Sequence, residues 1–209
     1  MPIGVPKAAF LIPGDEEASW IDLINRLYRD RLLFIGKEIK NELANQISGL
    51  MIFLSMEDHS KDQNLFLNSP GGWVVPGLIV YDTIQFVYAD IQTINMGVSA
   101  SIASFILAGG TPTKRIAFPH ARVLIHQPAS SFRDIYSGEL ITEMNEIRKI
   151  RENITKTYVE ITGQVYSTIL IDLNRDSFLS AEEAQTHGII DFITNAEFFM
   201  NEKKKKKEN

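Results

Sequence analysis

The sequence predicts an α/β fold of mostly parallel strands buried under helices. Segments of helical periodicity alternate repeatedly with short apolar runs of strand length, the pattern of strand–helix–strand units. Several of the apolar runs are closed by Gly or Pro, and strands covered by helices read as apolar runs. The chain of 209 residues is 44% hydrophobic and 22% charged, enough for one well-buried core.

Residues 1–17 contain Pro2, Pro6, Pro13 and the acidic Asp15-Glu16-Glu17, and read as an exposed arm. From Ser19 a helix is expected, with Ile21, Ile24 and Leu27 on one side. Arg31–Gly36 reads as a buried strand. Ile39, Leu43, Ile47, Leu50, Met51 and Leu54 share one face at helical spacing and predict an amphipathic helix. Asn64–Leu67 is a short apolar strand stopped by Asn68-Ser69-Pro70-Gly71-Gly72. Residues 76–87 read as a helix, with Pro76 tolerated in the first turn. Asp90–Met96 is a strand, and Ser101–Leu107 a helix ended by Gly109-Gly110. Arg122–Gln127 is a strand broken by Pro128, and Glu139–Ile161 a long, charge-rich helix exposed over part of its length. Ser180-Ala181-Glu182-Glu183 has the form of a capping box. The helix it opens ends at Gly188, before a last strand, Ile189–Ile193.

Composition removes several classes of function. Cys is absent, which excludes disulfides and thiolate metal sites. No apolar run approaches the roughly 20 residues that cross a bilayer, so a soluble chain with no membrane partner is expected. The opening Met1–Lys7 has neither the form of a secretory signal nor that of a transit peptide. Net charge is -5, yet without Glu202–Asn209 the chain holds 16 basic and 24 acidic residues. An acidic body argues against a nucleic-acid partner, and the run Lys203–Lys207 reads as a solvated tail.

Serine catalysis needs a nucleophile, a His to take its proton, a group to orient that His, and donors for the oxyanion. Of the four His, His59 lies in a polar loop, His120 follows Pro119 in a turn, and His187 ends a helix where the dipole favours it. His126 closes an apolar strand beside a turn, where reactive groups are presented, yet taken alone a satisfied structural His is the better account of it. Ser101 sits at the first turn of a helix, after the small residues Gly97-Val98-Ser99-Ala100. Free N–H groups there suit a developing negative charge, and a plain N-cap Ser explains the same residue. Ser99 and Ser104 remain rivals on chemistry alone. Gly71-Gly72 permits close backbone approach and offers N–H groups to an oxyanion or an extended peptide, while a simple Pro-Gly turn accounts for it equally.

Four motifs occur in order: Asn68–Gly72, Met96-Gly97 with Ala100-Ser101, Ile125-His126-Gln127-Pro128, and Arg175-Asp176 with Phe178-Leu179-Ser180-Ala181. Together they resemble the proteolytic subunit of the Clp protease family, from about Ser19 to Ile193. Met1–Lys7 and Phe118-Pro119-His120-Ala121-Arg122 further resemble the version encoded in plastid genomes. The resemblance implies the Clp/crotonase-like α/β fold, a spiral of repeated ββα units with a protruding handle helix. It implies a serine endopeptidase with Ser101 as nucleophile, His126 as general base and Asp176 as the orienting carboxylate. The N–H groups of Gly72 and Ile102 then serve the oxyanion. An extended polypeptide substrate lies between Gly71, Gly72 and Trp73 on one side and Pro128, Ala129 and Ser130 on the other.

The same resemblance implies residues 1–18 as a mobile arm at an axial pore, 19–195 as the peptidase domain with its handle region at 129–162, and 196–209 as a Lys-rich tail. Two seven-membered rings, of one subunit type or several, stack into a tetradecamer fed by a Clp-type unfoldase ATPase. That partner uses the ATP, so no cofactor and no metal is expected in this subunit. Arg175 matches a position contacting the opposite ring, and Phe66, Phe86, Ile94 and Phe118 loosely match clefts for the ATPase or serve as plain core. The implied compartment is the chloroplast stroma, with the bacterial cytoplasm as the alternative. Ser99 stands where Ala is usual, Ile102 where Met is usual, and Asn174 where an acid often precedes the Arg-Asp pair. Two other functions fit parts of the pattern: a catalytically weak structural member of a mixed ring, and a crotonase-like acyl-CoA enzyme on the same fold.

Overall fold

The computed structural model describes residues 4–11, 18–128 and 136–194. The Lys-rich tail, the first residues of the arm, and Ala129 and Ser130 lie outside them. Strand β1 (Lys7–Phe10) pairs antiparallel with β2 (Ser19–Asp22), setting Lys7 opposite Asp22. Helix α1 (Leu23–Arg29) follows with Asp22 at its N-cap. The helix expected from Ser19 therefore begins at Leu23. Residues 19–22 gain a strand partner that sequence periodicity does not reveal, and the 18/19 boundary falls between the two paired strands. Arg26 and Arg29 lie over the ring of Phe10, at 5.2 and 4.7 Å from its centroid.

From there strand and helix alternate: β3 (Leu32–Ile35), α2 (Asn41–Glu57), β4 (Gln63–Ser69), α3 (Val74–Phe86), β5 (Ile91–Ala100), α4 (Ile102–Ala108), β6 (Arg115–Ala117) and β7 (Arg122–Ile125). Strands β3, β4, β5 and β6 lie side by side and parallel. Ten-residue β5 takes two partners in succession on its free edge, β6 at Thr93–Asn95 and β7 at Val98–Ala100. Asn95 bridges the change, its side-chain amide donating to the Arg122 carbonyl at 3.0 Å.

The remainder comprises α5 (Ser137–Thr162), α6 (Tyr166–Asn174), β8 (Ser177–Ser180), α7 (Ala181–His187) and β9 (Phe192–Ile193). Strand β8 runs antiparallel on β7, and β9 parallel on β6. The capping box forms in full: Ser180 Oγ accepts the Glu183 N–H, and the Glu183 carboxylate accepts the Ser180 N–H. The last strand starts at Phe192 rather than Ile189, because the N–H groups of Ile189 and Ile190 turn back to the Ala184 carbonyl. Helix α6 and strands β6 and β8 are additions to the sequence reading.

The core joins Leu33, Ile35, Leu65, Leu67 and Ile91 of the sheet to Ile47, Met51, Ile106 and Leu107 of the helices, all almost fully buried. Each such side chain contributes about 1.5–3 kcal/mol by leaving water. Every residue of α4 is buried, so this short helix runs through the core rather than along it. Helix α5 is exposed over its first half, including Ile141 and Met144, and buries Ile154 and Tyr158 in its second. Of the four loosely matched cleft positions, Ile94 is buried and Phe66 stacks on Phe34 at 5.0 Å. Phe118 packs against the core, and Phe86 is 75% exposed. Among the described residues no helix is long and apolar enough to cross a membrane.

Candidate active site

The sheet register brings the candidate residues together. Ala100 of β5 lies beside Leu124 of β7, and the Ser101 N–H donates to the Leu124 carbonyl at 2.9 Å. Ser101 and His126 thus leave the carboxyl ends of neighbouring parallel strands, where α/β sheets form their sites. On the other edge of β7, Ile125 opposes Ser177. One more step of that antiparallel ladder sets His126 opposite Asp176. Three segments distant in sequence converge by register alone.

Ser101 is the N-cap residue of α4, yet its side chain caps nothing. Its backbone stands at φ 57, ψ -126, a conformation costing a non-Gly residue about 1–3 kcal/mol. That turn aims Oγ away from the helix and towards His126, whose Nε2 lies 2.7 Å away. His126 Nδ1 faces Asp176 Oδ1 at 3.5 Å, within ion-pair reach but longer than a direct hydrogen bond. Asp176 also has a positive φ, 50, in the turn between α6 and β8. Beside it Arg175 is exposed and serves as the C-cap of α6.

The two glycines lie against this centre. A Cβ on Gly71 would stand 2.7 Å from the Ala100 carbonyl oxygen and 3.3 Å from Ser101 Oγ; one on Gly72 would stand 2.2 Å from the Ile39 carbonyl oxygen. Only Gly fits either place. Gly72 bridges Ile39 in parallel fashion: Ile39 donates to the Gly71 carbonyl at 2.8 Å and accepts from the Trp73 N–H at 3.0 Å. In such a bridge the N–H of the middle residue points away from the partner, here the free side of the segment. Among the described residues, neither the Gly72 N–H nor the Ile102 N–H donates to a protein acceptor. A cleft of about 450 Å³ runs from Gly72, Trp73 and Val74 to Pro128, with Ile147 and Ile150 of α5 along its wall.

The rival serines separate. Ser104 is fully buried, and its Oγ donates to the Ser101 carbonyl at 2.5 Å while meeting Tyr158 Oη at 2.9 Å. Burial pushes the Tyr158 phenol far above its ordinary pKa, so it remains a donor. Ser99 is equally buried and its Oγ has no partner among the described residues. His59 and His120 are exposed, and His187 bonds Asp172. No group of three or more possible metal ligands occurs among the described residues. Sequence reasoning missed Phe105, Ile154 and Tyr158, which with Val74 line a small hollow beside Ser101 and His126. Ile147, Ile150, Ile154 and Tyr158 recur at helical spacing, a stripe that could have flagged that face of α5.

Comparison with known proteins identifies the family. The family model for Clp protease matches residues 14–197. The chain is 61% identical over 193 residues to the ATP-dependent Clp protease proteolytic subunit of Morus indica, covering 92% of this chain and 98% of that relative. It is 58% identical, over the same shares, to the proteins of the same name from Lotus japonicus and Spinacia oleracea. A match across the whole described sheet, around a serine paired to a histidine, leaves one conclusion: the chain belongs to the Clp protease family of serine-type peptidases.

Proposed function

We propose that the chain is the peptidase subunit of an ATP-dependent protease and cuts extended polypeptides with Ser101, His126 and Asp176. The observation that carries this is the 2.7 Å contact from Ser101 Oγ to His126 Nε2, made by an N-cap serine that leaves its helix uncapped. Neutral His126 takes the Oγ proton on Nε2 as Oγ attacks the scissile carbonyl carbon. Asp176, 3.5 Å from Nδ1 in the free site, closes on the Nδ1–H as substrate binds and stabilises the imidazolium that forms. The tetrahedral oxyanion is received by the free N–H groups of Gly72 and Ile102. His126 then gives its proton to the leaving amine, and water releases the acyl group by the same steps in reverse roles.

The substrate in this reading is an added strand along Gly71, Gly72 and Trp73, with Pro128 across the cleft. Main-chain bonding dominates such a complex, so side-chain selectivity is weak. Ala129 and Ser130, the other proposed contacts, lie outside the described residues. The scheme needs no metal or cofactor in this subunit, since the partner ATPase spends the ATP. Assembly with further subunits is supported by the half-exposed helix α5, whose Ile141 and Met144 lack an apolar cover among the described residues, and by the word subunit in the relatives' names; stacked pairs of seven-membered rings are the form this reading takes. Arg175 belongs to that ring–ring contact in the same reading. Plant relatives and the plastid-like motifs support the chloroplast stroma as its compartment.

The test is labelling by a fluorophosphonate together with hydrolysis of a short fluorogenic peptide. Wild-type chain is expected to label and turn over, and Ser101→Ala to lose both, with kcat down by at least about 10³-fold. Equal labelling of the two, or no labelling of assembled wild type, sinks the assignment.

A further inference from the structure

Three consecutive residues at the end of α6 are each held by a different element. Asp172 Oδ2 lies 2.8 Å from His187 Nε2, in the last turn of α7. The Leu173 carbonyl accepts the Gln127 N–H, just beyond β7, at 2.8 Å. Asn174 Oδ1 accepts from Arg151 of α5 at 2.8 Å. The chain then passes Arg175 and turns through Asp176. Asp176 is itself 69% exposed, and among the described residues its carboxylate meets only His126. Packing does not hold this carboxylate. Its position comes from the anchored segment before it and from β8 after it.

The His187–Asp172 contact is the most enclosed of the side-chain anchors, its partners only 13% and 24% exposed. An ionised carboxylate only accepts, so Nε2 is the ring nitrogen that turns its N–H to Asp172. Nδ1 is buried and has no partner among the described residues. An apolar side chain would fill the site without that desolvation cost. The histidine is therefore explained by its bond to Asp172 rather than by packing.

We propose that His187 is a positioning residue for the catalytic carboxylate: by holding Asp172 it fixes the end of α6 and so sets Asp176 against His126. This rests on the triad reading above. The test uses the full chain in its native assembly, with His187→Gln, which keeps an N–H donor, and His187→Leu, which keeps volume alone. Fluorophosphonate labelling of Ser101 counts competent sites, and peptide hydrolysis gives kcat and KM. His187→Leu is expected to lose about tenfold in kcat with KM nearly unchanged, the signature of a displaced catalytic group. His187→Gln recovers most of that loss. Asp172→Leu breaks the contact from the other side and gives the same kcat defect, which keeps the test open if His187→Leu does not assemble. The double variant is no worse than either single one. Wild-type kcat in the Leu variants overturns the inference, as does a Gln variant no better than Leu. Absence of labelling in the wild type overturns the triad reading instead.

Discussion

Replacing Ser99 with Ala should stabilise the protein and leave its peptidase activity intact. Ser99 lies in β5 between Ser69 of β4 and Val123 of β7, fully buried. The nearest hydroxyl in that register, Ser69 Oγ, already bonds the Lys37 carbonyl at 2.8 Å. Ser99 Oγ is left without a partner among the described residues. A buried hydroxyl without a hydrogen bond costs about 1–3 kcal/mol, and deleting one oxygen forfeits only a few weak contacts. A net gain of ~1 kcal/mol is expected, which for a chain of this size raises Tm by about 2–4 °C. Thermal unfolding followed by circular dichroism, at one protomer concentration for both proteins, reads it. A Tm that falls or stays put would refute the reasoning, showing that Oγ has a bound partner that Ala loses. Lost peptide hydrolysis at unchanged stability would return Ser99 to contention as the nucleophile.

Other outcomes follow from the same geometry. Tyr158→Phe keeps the edge-on ring contact with Phe105 but removes the hydroxyl that meets Ser104, and denaturant titration should show a loss of about 1 kcal/mol. Gly72→Ala forces a Cβ into the Ile39 backbone, so fluorophosphonate labelling should collapse alongside a stability loss of about 1–3 kcal/mol. Burial alone would raise the Asp191 carboxyl, but hydrogen bonds and charge from Arg115 outweigh it and hold the carboxyl below its ordinary pKa. A depressed carboxyl stabilises above its unfolded pKa, about 3.9, and loses that contribution as pH falls through the folded value. The Tm gap between wild type and Asp191→Asn should therefore be steady above about pH 4 and shrink below it. A gap that widens in acid contradicts the sign.

Much of this architecture is legible in the sequence where an element is long or carries its own chemistry. The apolar face of α2, the Gly-Gly stop after β4 and the Ser180–Glu183 capping box each declare themselves within a few residues. The three-residue strand β6 and four-residue β8 hold too little periodicity to stand out, and residues 19–22 become strand only because 7–10 pair with them. At the site, local chemistry nominates Ser101 and His126 but cannot separate Ser101 from Ser99 or from a helix cap. Burial and backbone angles make that separation, and both are tertiary properties. Asp176 is invisible without a family likeness, because its approach to His126 depends on the register of β8 against β7.

That antiparallel pairing also sets the order in which the site can be assembled. Ser101 and His126 follow parallel strands close in sequence, whereas β8 emerges only after α5 and α6 and must close a long loop to reach β7. In the proposed reading, the pairing of Ser101 with His126 is therefore complete one long loop before Asp176 is brought to it.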